Sequence, residues 1–534
     1  MPVSFRSSLR CAPIVLCAAG VLALTACGGS SSSGGQAASG SSSGGPSAPK
    51  QNPSTLTIAV TSTPVSINPA LNGVGDPLEL YSELSYDPLI YQKSDGSYAP
   101  GLATKWGFVG TGNKTFDMTL RPNVKFSDGS ALTAQGVKNY FTYYHKASSF
   151  GSRLTGVKIT VTGPLSLRFQ LNAPDPDFAY LMTQDLGTGD VISPLGLKNP
   201  KALGTTTAGA GQYTLDSAAT VTNQTYTFVR NPTYWDPSAI HWKKIVIKVL
   251  PNETAELDAM SSGQVDYMFG SPQDATAATS AGFVVTKFPY LFGHIEIMDL
   301  HGQTVKALGN EQVRQALDYA MDRPALVKAL LGSYGSPDQQ LLLPGAEGYD
   351  PSLNSTYTYD PAKAKQLLAA AGYPKGFSFN EIAYNLHPGE TDMAQAIASE
   401  WAKIGVNVKI TVPANIPAYV TDMASKKYSA EIFEFGGQDM YLASSQLLGP
   451  GDPFYDPFNI TDPTWSKLEA EGAVASAAAA PAIWDQLNKY VTQQGSYLSF
   501  GSVDQVIISR PGLDGIKATT NALNPDPVYF FAAK

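Results

Sequence analysis

Thr115-Phe116-Asp117-Met118-Thr119-Leu120-Arg121, followed after two residues by Val124-Lys125-Phe126-Ser127-Asp128-Gly129-Ser130-Ala131-Leu132-Thr133-Ala134, is the stretch on which the fold turns. Apolar and polar residues alternate through 115–120, the period of a strand with one buried face. Asp128-Gly129 reads as a tight turn, with glycine supplying a positive φ. Thr133 reads as a helix N-cap whose side-chain oxygen accepts an amide of the first turn. Strand, turn and helix thus follow within twenty residues, and the chemistry of the stretch is that of scaffold.

Working outward, the same alternation marks strands at 56–60, 167–171, 226–229 and 245–249, so the first half is rich in sheet. Past Asn310 the period changes. Val313, Ala316, Leu317 and Ala320 stand at helical spacing behind Asn310 as cap; Pro324 opens a second helix that Gly332 ends; a third follows Asp360-Pro361 and stops at Gly372. A fourth helix over 391–404 feeds a strand at 406–410. Helices alternating with strands indicate an α/β lobe with the sheet inside. A single core stops growing at about 250 to 300 residues, so a chain of 534 is expected to form two lobes.

The first 26 residues have the zones of an export signal: Arg6 and Arg10, an apolar run, then Leu24-Thr25-Ala26-Cys27, a lipobox-like tetrad. The expectation is a signal peptide over 1–26, lipid on Cys27, and a Gly/Ser/Pro tether over 27–54 too poor in apolar residues to fold. All three cysteines lie in the leader, which leaves the folded part without a disulfide, a thiolate metal site or a cysteine nucleophile. The mature chain carries 34 basic and 44 acidic residues. An acidic balance of that kind argues against nucleic acid as a partner.

The quoted stretch, together with further blocks, resembles the extracytoplasmic solute-binding proteins of peptide/nickel-type ABC importers, family 5. These blocks are Tyr86-Asp87-Pro88-Leu89-Ile90-Tyr91, Pro100-Gly101-Leu102-Ala103-Thr104-Lys105-Trp106, Arg230-Asn231-Pro232-Thr233-Tyr234-Trp235, Ser262-Gly263-Gln264-Val265-Asp266, Val313-Arg314-Gln315-Ala316-Leu317 through Met321-Asp322-Arg323, Tyr359-Asp360-Pro361-Ala362-Lys363-Ala364, and Lys403-Ile404-Gly405-Val406. Their order along the chain, behind a lipobox, makes the likeness specific. It implies an α/β, two-lobed periplasmic-binding-protein-like fold (type II, cluster C-like) with a hinge and an interlobe cleft. Lobe I would comprise 55–291 with an extra subdomain and 498–534, and lobe II 292–497, with crossings near 290–293 and 496–500. It further implies a monomer without cofactor or catalysis, held outside the membrane by its lipid. Such a protein closes on a peptide or small molecule and delivers it to an ABC permease and ATPase.

By position, the resemblance puts ligand contacts at Thr63-Pro64-Val65-Ser66, of which Thr63 and Val65 are the candidates, and at Phe435-Gly436-Gly437-Gln438-Asp439. Phe433 takes the family's aromatic place. Gly436 stands where peptide binders carry the carboxylate for the ammonium group, and a buried ammonium without one is costly. Strand alternation turns Glu434 to the other face, leaving Asp439 as the replacement. The Arg that clamps a dipeptide's carboxylate is also missing; Tyr384 or Asn385 stands there instead. The cleft is then expected to suit a longer, blocked or cyclic peptide, or a neutral polar solute such as a glycan or siderophore-like molecule. His387 should border the cleft and is a further candidate contact, its plainer reading being a solvated loop residue, and no His-x-x-x-His or HExxH spacing supports a metal ligand set. A metal carried in by a chelator stays open. A hydrolase lacks a G-x-S-x-G elbow anywhere past the Gly/Ser tether, and a peptide-sensing receptor on the same fold is the remaining alternative.

Overall fold

A computed structural model describes residues 54–532, apart from 73–77, 94–95, 185–186, 386, 388, 449–455 and 517–530. The leader, Cys27 and nearly all of the expected tether lie outside the described residues. β1 (Thr55–Val60) is followed by a small layer of β2 (Ala103–Phe108), β3 (Thr115–Leu120), β4 (Lys158–Gly163) and β5 (Ser166–Gln170), with α1 (Ala134–Ala147) between β3 and β4. β6 (Tyr213–Leu215), β7 (Thr225–Arg230), β8 (Lys244–Val249), α2 (Glu253–Ser261), β9 (Tyr267–Gly270) and α3 (Pro272–Ser280) return to β1. Next come β10 (Val284–Glu296), α4 (Glu311–Tyr319), α5 (Arg323–Leu330), α6 (Pro361–Ala370), β11 (Phe377–Ile382), α7 (Glu390–Ala402), β12 (Val406–Thr411) and β13 (Ala430–Gly436). The chain finishes through α8 (Met440–Ala443), α9 (Pro463–Val474), α10 (Ala480–Gln494) and β14 (Tyr497–Ser509).

The elements read from sequence are present, with ends shifted by a residue or two, and their signals act as expected. Gly129 has φ +83°, and Thr133 Oγ1 accepts the Gly136 amide at 3.1 Å. The alternation in β3 buries Phe116, Met118 and Leu120. Phe116 meets Phe178 at 5.3 Å and Phe169 meets Phe141 at 5.5 Å, edge to face. Asn310, Asp322 and Asp360 cap α4, α5 and α6, and Gly332 and Gly372 take positive φ just beyond the ends of α5 and α6.

One long sheet runs β12-β11-β13-β10-β14-β9-β1-β8-β7-β6. Its left part is made from 377–436 and its right part from 55–60 and 213–270. β10 and β14, thirteen residues each, belong to both. Residues 284–288 of β10 pair with the end of β14, which also carries β9, while 291–296 pair with both β14 and β13. The ladder slips between Pro289 and Leu291 and again between Gly293 and His294. A Cβ on Gly293 would stand 2.0 Å from the Phe500 ring, so only glycine fits there. The expected crossing at 290–293 lies at these bulges. Across from it in the antiparallel register stand Gly501 to Asp504 of β14, with Gly293 facing Gly501 and Leu291 facing Val503.

Apolar residues gather separately on the two sides: Leu56, Ile58, Ile245 and Ile507 on one, Val313, Leu317, Ile397 and Trp401 on the other. Fully burying a side chain of this size contributes about 1.5–3 kcal/mol, so each side has the means to hold its own shape. Among the described residues no helix is long and apolar enough to cross a membrane.

Candidate ligand-binding site

Where the two parts of the sheet meet, a cavity of about 400 Å³ opens beside the bulges of β10 and β14. Its first wall is the end of β1 with Thr61 and Ser62, the end of β9, and the starts of α2 and α3. Its second wall is the β11–α7 loop and Glu434 of β13, and Tyr290, Leu291, Val503 and Asp504 lie between. Carboxyl ends of strands and N-termini of helices converge on it, the common placement of ligands in α/β sheets. The lining is acidic: Glu253, Glu256, Asp392, Glu434 and Asp504 stand against a single histidine, His387. Burial pushes Glu256 up to about 8, with Glu253 and Asp274 adding to it. Burial also raises Asp504, although Lys287 sits 3.3 Å from it and pulls the other way.

The second wall holds an unusual local arrangement. Gly389, at φ +100°, stands at the N-cap of α7 and has no side chain with which to cap it. Glu390 ties the region together instead: its Oε2 accepts the His387 amide at 2.9 Å and its Oε1 the Glu434 amide at 3.2 Å. The His387 Nδ1 atom lies 3.4 Å from Glu390 Oε1 and 3.8 Å from Glu434 Oε2. Glu434 is buried and its Oε2 has no hydrogen-bond partner. Burial, then the neighbouring Glu390, hold its carboxyl well above the usual range.

A second cavity of about 240 Å³ lies between the 177–180 segment and the β13–α8 turn. Gly437, Gln438 and Asp439 line it with Asp177, Tyr180 and Glu347. Asp439 caps α8 through the Leu442 amide at 3.0 Å. Burial raises both Asp439 and Asp177, and Asp177 is raised further by Asp439 beside it. Nearby, Asn113 in the β2–β3 loop donates to the carbonyls of Ala473 (2.9 Å) and Ala475 (3.3 Å) at the end of α9, and Tyr441 donates to that of Pro174 (3.3 Å). The two sides therefore touch across this gap.

Of the residues singled out from sequence, the structure brings His387 to the larger cavity and Gly437, Gln438 and Asp439 to the smaller. The others line neither cavity. Thr63 and Val65 are exposed, Val65 at 81%, one residue and more past the Ser62 rim. Tyr384 stacks on Tyr419 at 5.3 Å, and the Asn385 side chain accepts the Thr391 amide at 2.8 Å at the start of α7, so both side chains already have partners. Phe435 packs on Phe292 at 5.9 Å, and Gly436 pairs with Leu291 in the ladder. Glu434 does point away from Phe433 and Phe435, as alternation requires, and that direction leads to the larger cavity. The expectation of His387 as a merely solvated loop residue is corrected by the two carboxylates against it. Its partnership with Glu390 was readable as His-x-x-Glu at a helix start; its meeting with Glu434 has no local signal.

A mixed sheet in two parts, sharing two long strands with a cavity beside them, defines an α/β binding protein of the two-lobed periplasmic type. Comparison with known proteins makes this specific. The model of bacterial extracellular solute-binding proteins, family 5 (Middle), matches residues 97–452, and the chain belongs to that family. The glutathione-binding protein GsiB of Salmonella typhimurium is 28% identical over 316 residues, covering 56% of this chain and 58% of that protein. The chain thus spans little more than half the length of that relative. The nickel-binding periplasmic protein of Escherichia coli K12 is 29% identical over 383 residues, covering 66% and 70%. Among solved structures, HbpA2 from Haemophilus parasuis superposes with a TM-score of 0.78 at 20% identity over 90% of this chain and 100% of that one. NikZ from Campylobacter jejuni, in complex with Ni(L-His), gives 0.71 at 20% identity over 89% and 99%.

Proposed function

We propose that this protein is the solute-capturing component of an ABC importer, tethered by lipid on Cys27, monomeric, and delivering its ligand to a permease and ATPase. The reading takes 55–291 with 498–534 as lobe I and 292–497 as lobe II, hinged on β10 and β14. The observation that carries it is the acidic cavity of about 400 Å³ whose walls come from both sides of the hinge strands. A ligand there gains contacts on both walls only when the lobes are closed, so binding shifts the population toward the closed form. Five acidic side chains against one histidine, with burial holding Glu256 and Glu434 in the proton-bearing form until a cation pairs with them, favour a peptide-class or other polar solute that brings positive charge over the neutral polar solute that was one of the alternatives from sequence. Asp439 with Asp177 in the smaller cavity offers a place for a peptide's ammonium group.

Native mass spectrometry of the undenatured protein, followed by thermal-shift screening of basic and neutral peptides, amines and metal chelates, tests this. A co-purified or screened cationic solute is the expected result, and at 100 times its dissociation constant it adds about 2.7 kcal/mol. No bound solute and no shift with any class would sink the reading.

A further inference from the structure

We infer that His387, Glu390 and Glu434 form a binding site for one divalent first-row transition metal ion, fixed in the wall of the cavity. The donor atoms of the three side chains lie within 4.8 Å of one another. His387 Nδ1 is 3.4 Å from Glu390 Oε1 and 3.8 Å from Glu434 Oε2. Metal–donor bonds of about 2.0–2.2 Å place neighbouring donors roughly 3–3.6 Å apart, so the two His387 distances already nearly fit and the widest pair closes by at most about 1–2 Å to seat the ion. One imidazole nitrogen with two carboxylate oxygens suits zinc, nickel or cobalt, whereas calcium and magnesium demand more oxygens.

Two further observations point to an ion. Glu434 is 4% exposed, and its Oε2, turned toward His387, has no hydrogen-bond partner. An unpartnered carboxylate oxygen at that depth is costly, and a cation is the partner that removes the cost. Glu390 is fully buried, and the backbone amides of His387 and Glu434 hold its two oxygens, so the ligands are oriented before any ion arrives. The N-terminus of α7 opposes a cation, but carboxyl ligands give up their protons as an ion binds, and two carboxylates then outweigh that partial charge.

All three residues come from one wall, the β11–α7 loop and β13. The site therefore exists with the lobes open, unlike a cargo site, which both lobes must enclose. Three protein ligands leave coordination positions facing the cavity, where a donor of the solute can complete the shell. In that respect the inference rests on the cavity being the solute site.

The test uses the purified full-length chain, stripped with chelator and titrated calorimetrically with zinc chloride and with nickel chloride. One equivalent is expected, with affinity reduced at least about 100-fold in His387→Ala and at least about 10-fold in Glu434→Gln. His301→Ala, an exposed histidine elsewhere, should leave it unchanged. His387 lies on a loop and is partly exposed, so its replacement keeps the fold, which circular dichroism checks. No saturable binding below about 0.1 mM, or affinity unmoved by His387→Ala, overturns the site. Solute capture is measured separately by native mass spectrometry. Ion binding lost in His387→Ala, in a protein that captures no solute, keeps the metal site and sinks the transport reading.

Discussion

The layer around Phe116 and the wall around Glu434 are both built of strand, connection and helix, and they treat charge in opposite ways. In the first, Asp117 and Arg168 lie opposite each other on the outside of β3 and β5, 2.6 Å apart and more than a third exposed, while the inside is aromatic. In the second, Glu296, Glu381, Glu390, Glu431 and Glu434 are all buried. Tyr419 donates to Glu431 at 2.8 Å and Tyr497 to Glu296 at 3.3 Å, but both oxygens of Glu381 have no hydrogen-bond partner, nor does either ring nitrogen of buried His294. Burial drives that histidine down to about 3, so it is neutral. The first region spends its residues on packing; the second keeps polar groups where packing alone would not put them, and of these Glu434 reaches the cavity.

Four experiments break or sharpen this contrast. The largest effect belongs to Phe116→Ala, which opens a hole among three phenylalanines, Phe108, Phe169 and Phe178, and should cost about 3–5 kcal/mol in denaturant unfolding while leaving ion and solute binding unchanged. A loss under about 1 kcal/mol would show that the layer collapses onto the gap.

Next is Glu381→Gln. Burial, then Glu431, raises Glu381 to about 8 from 4.5, so the folded form holds a proton that the unfolded chain releases. Its stabilisation is full below about pH 4.5 and is lost as pH rises toward 8. The variant should flatten that decline, gaining on the order of 2 kcal/mol at pH 8.5 and little at pH 5. Parallel melting curves of the two proteins across this range would refute the raised value.

Asn113→Ala removes the two bonds to Ala473 and Ala475 that join the aromatic layer to the far side. A shift toward an open form of about 1–2 kcal/mol is expected, seen as a larger radius of gyration in solution scattering; an unchanged radius would mean that these bonds do not hold the halves together. Thr133→Ala, losing only the α1 cap, should cost about 1 kcal/mol and move nothing at the cavity.

The contrast also explains what the sequence disclosed. Strand β3, the turn at Gly129 and the caps at Thr133, Asn310 and Asp360 were legible because each signal acts within a few residues. Which residues of β10 and β14 face each other was not legible, because register is a pairing property and not a local one. His387 and Asp439 were placed near the cavities by their neighbours in the chain. Their partners were not: Glu434 is 44 residues from Glu390, and Asp177 lies in another part of the fold from Asp439, so only tertiary packing reveals them. Thr63 and Val65 were matched by position alone, and nothing local said that the cavity rim ends at Ser62.

β14 has one more consequence, in time rather than space. It stands between β10 and β9, and it begins at residue 497 of 534. The strand that joins the two halves is therefore made after every other strand of the long sheet, and contacts of such long sequence separation form slowly. The long sheet cannot close until that strand has been made, so the half that starts at β1 waits longest for its neighbours.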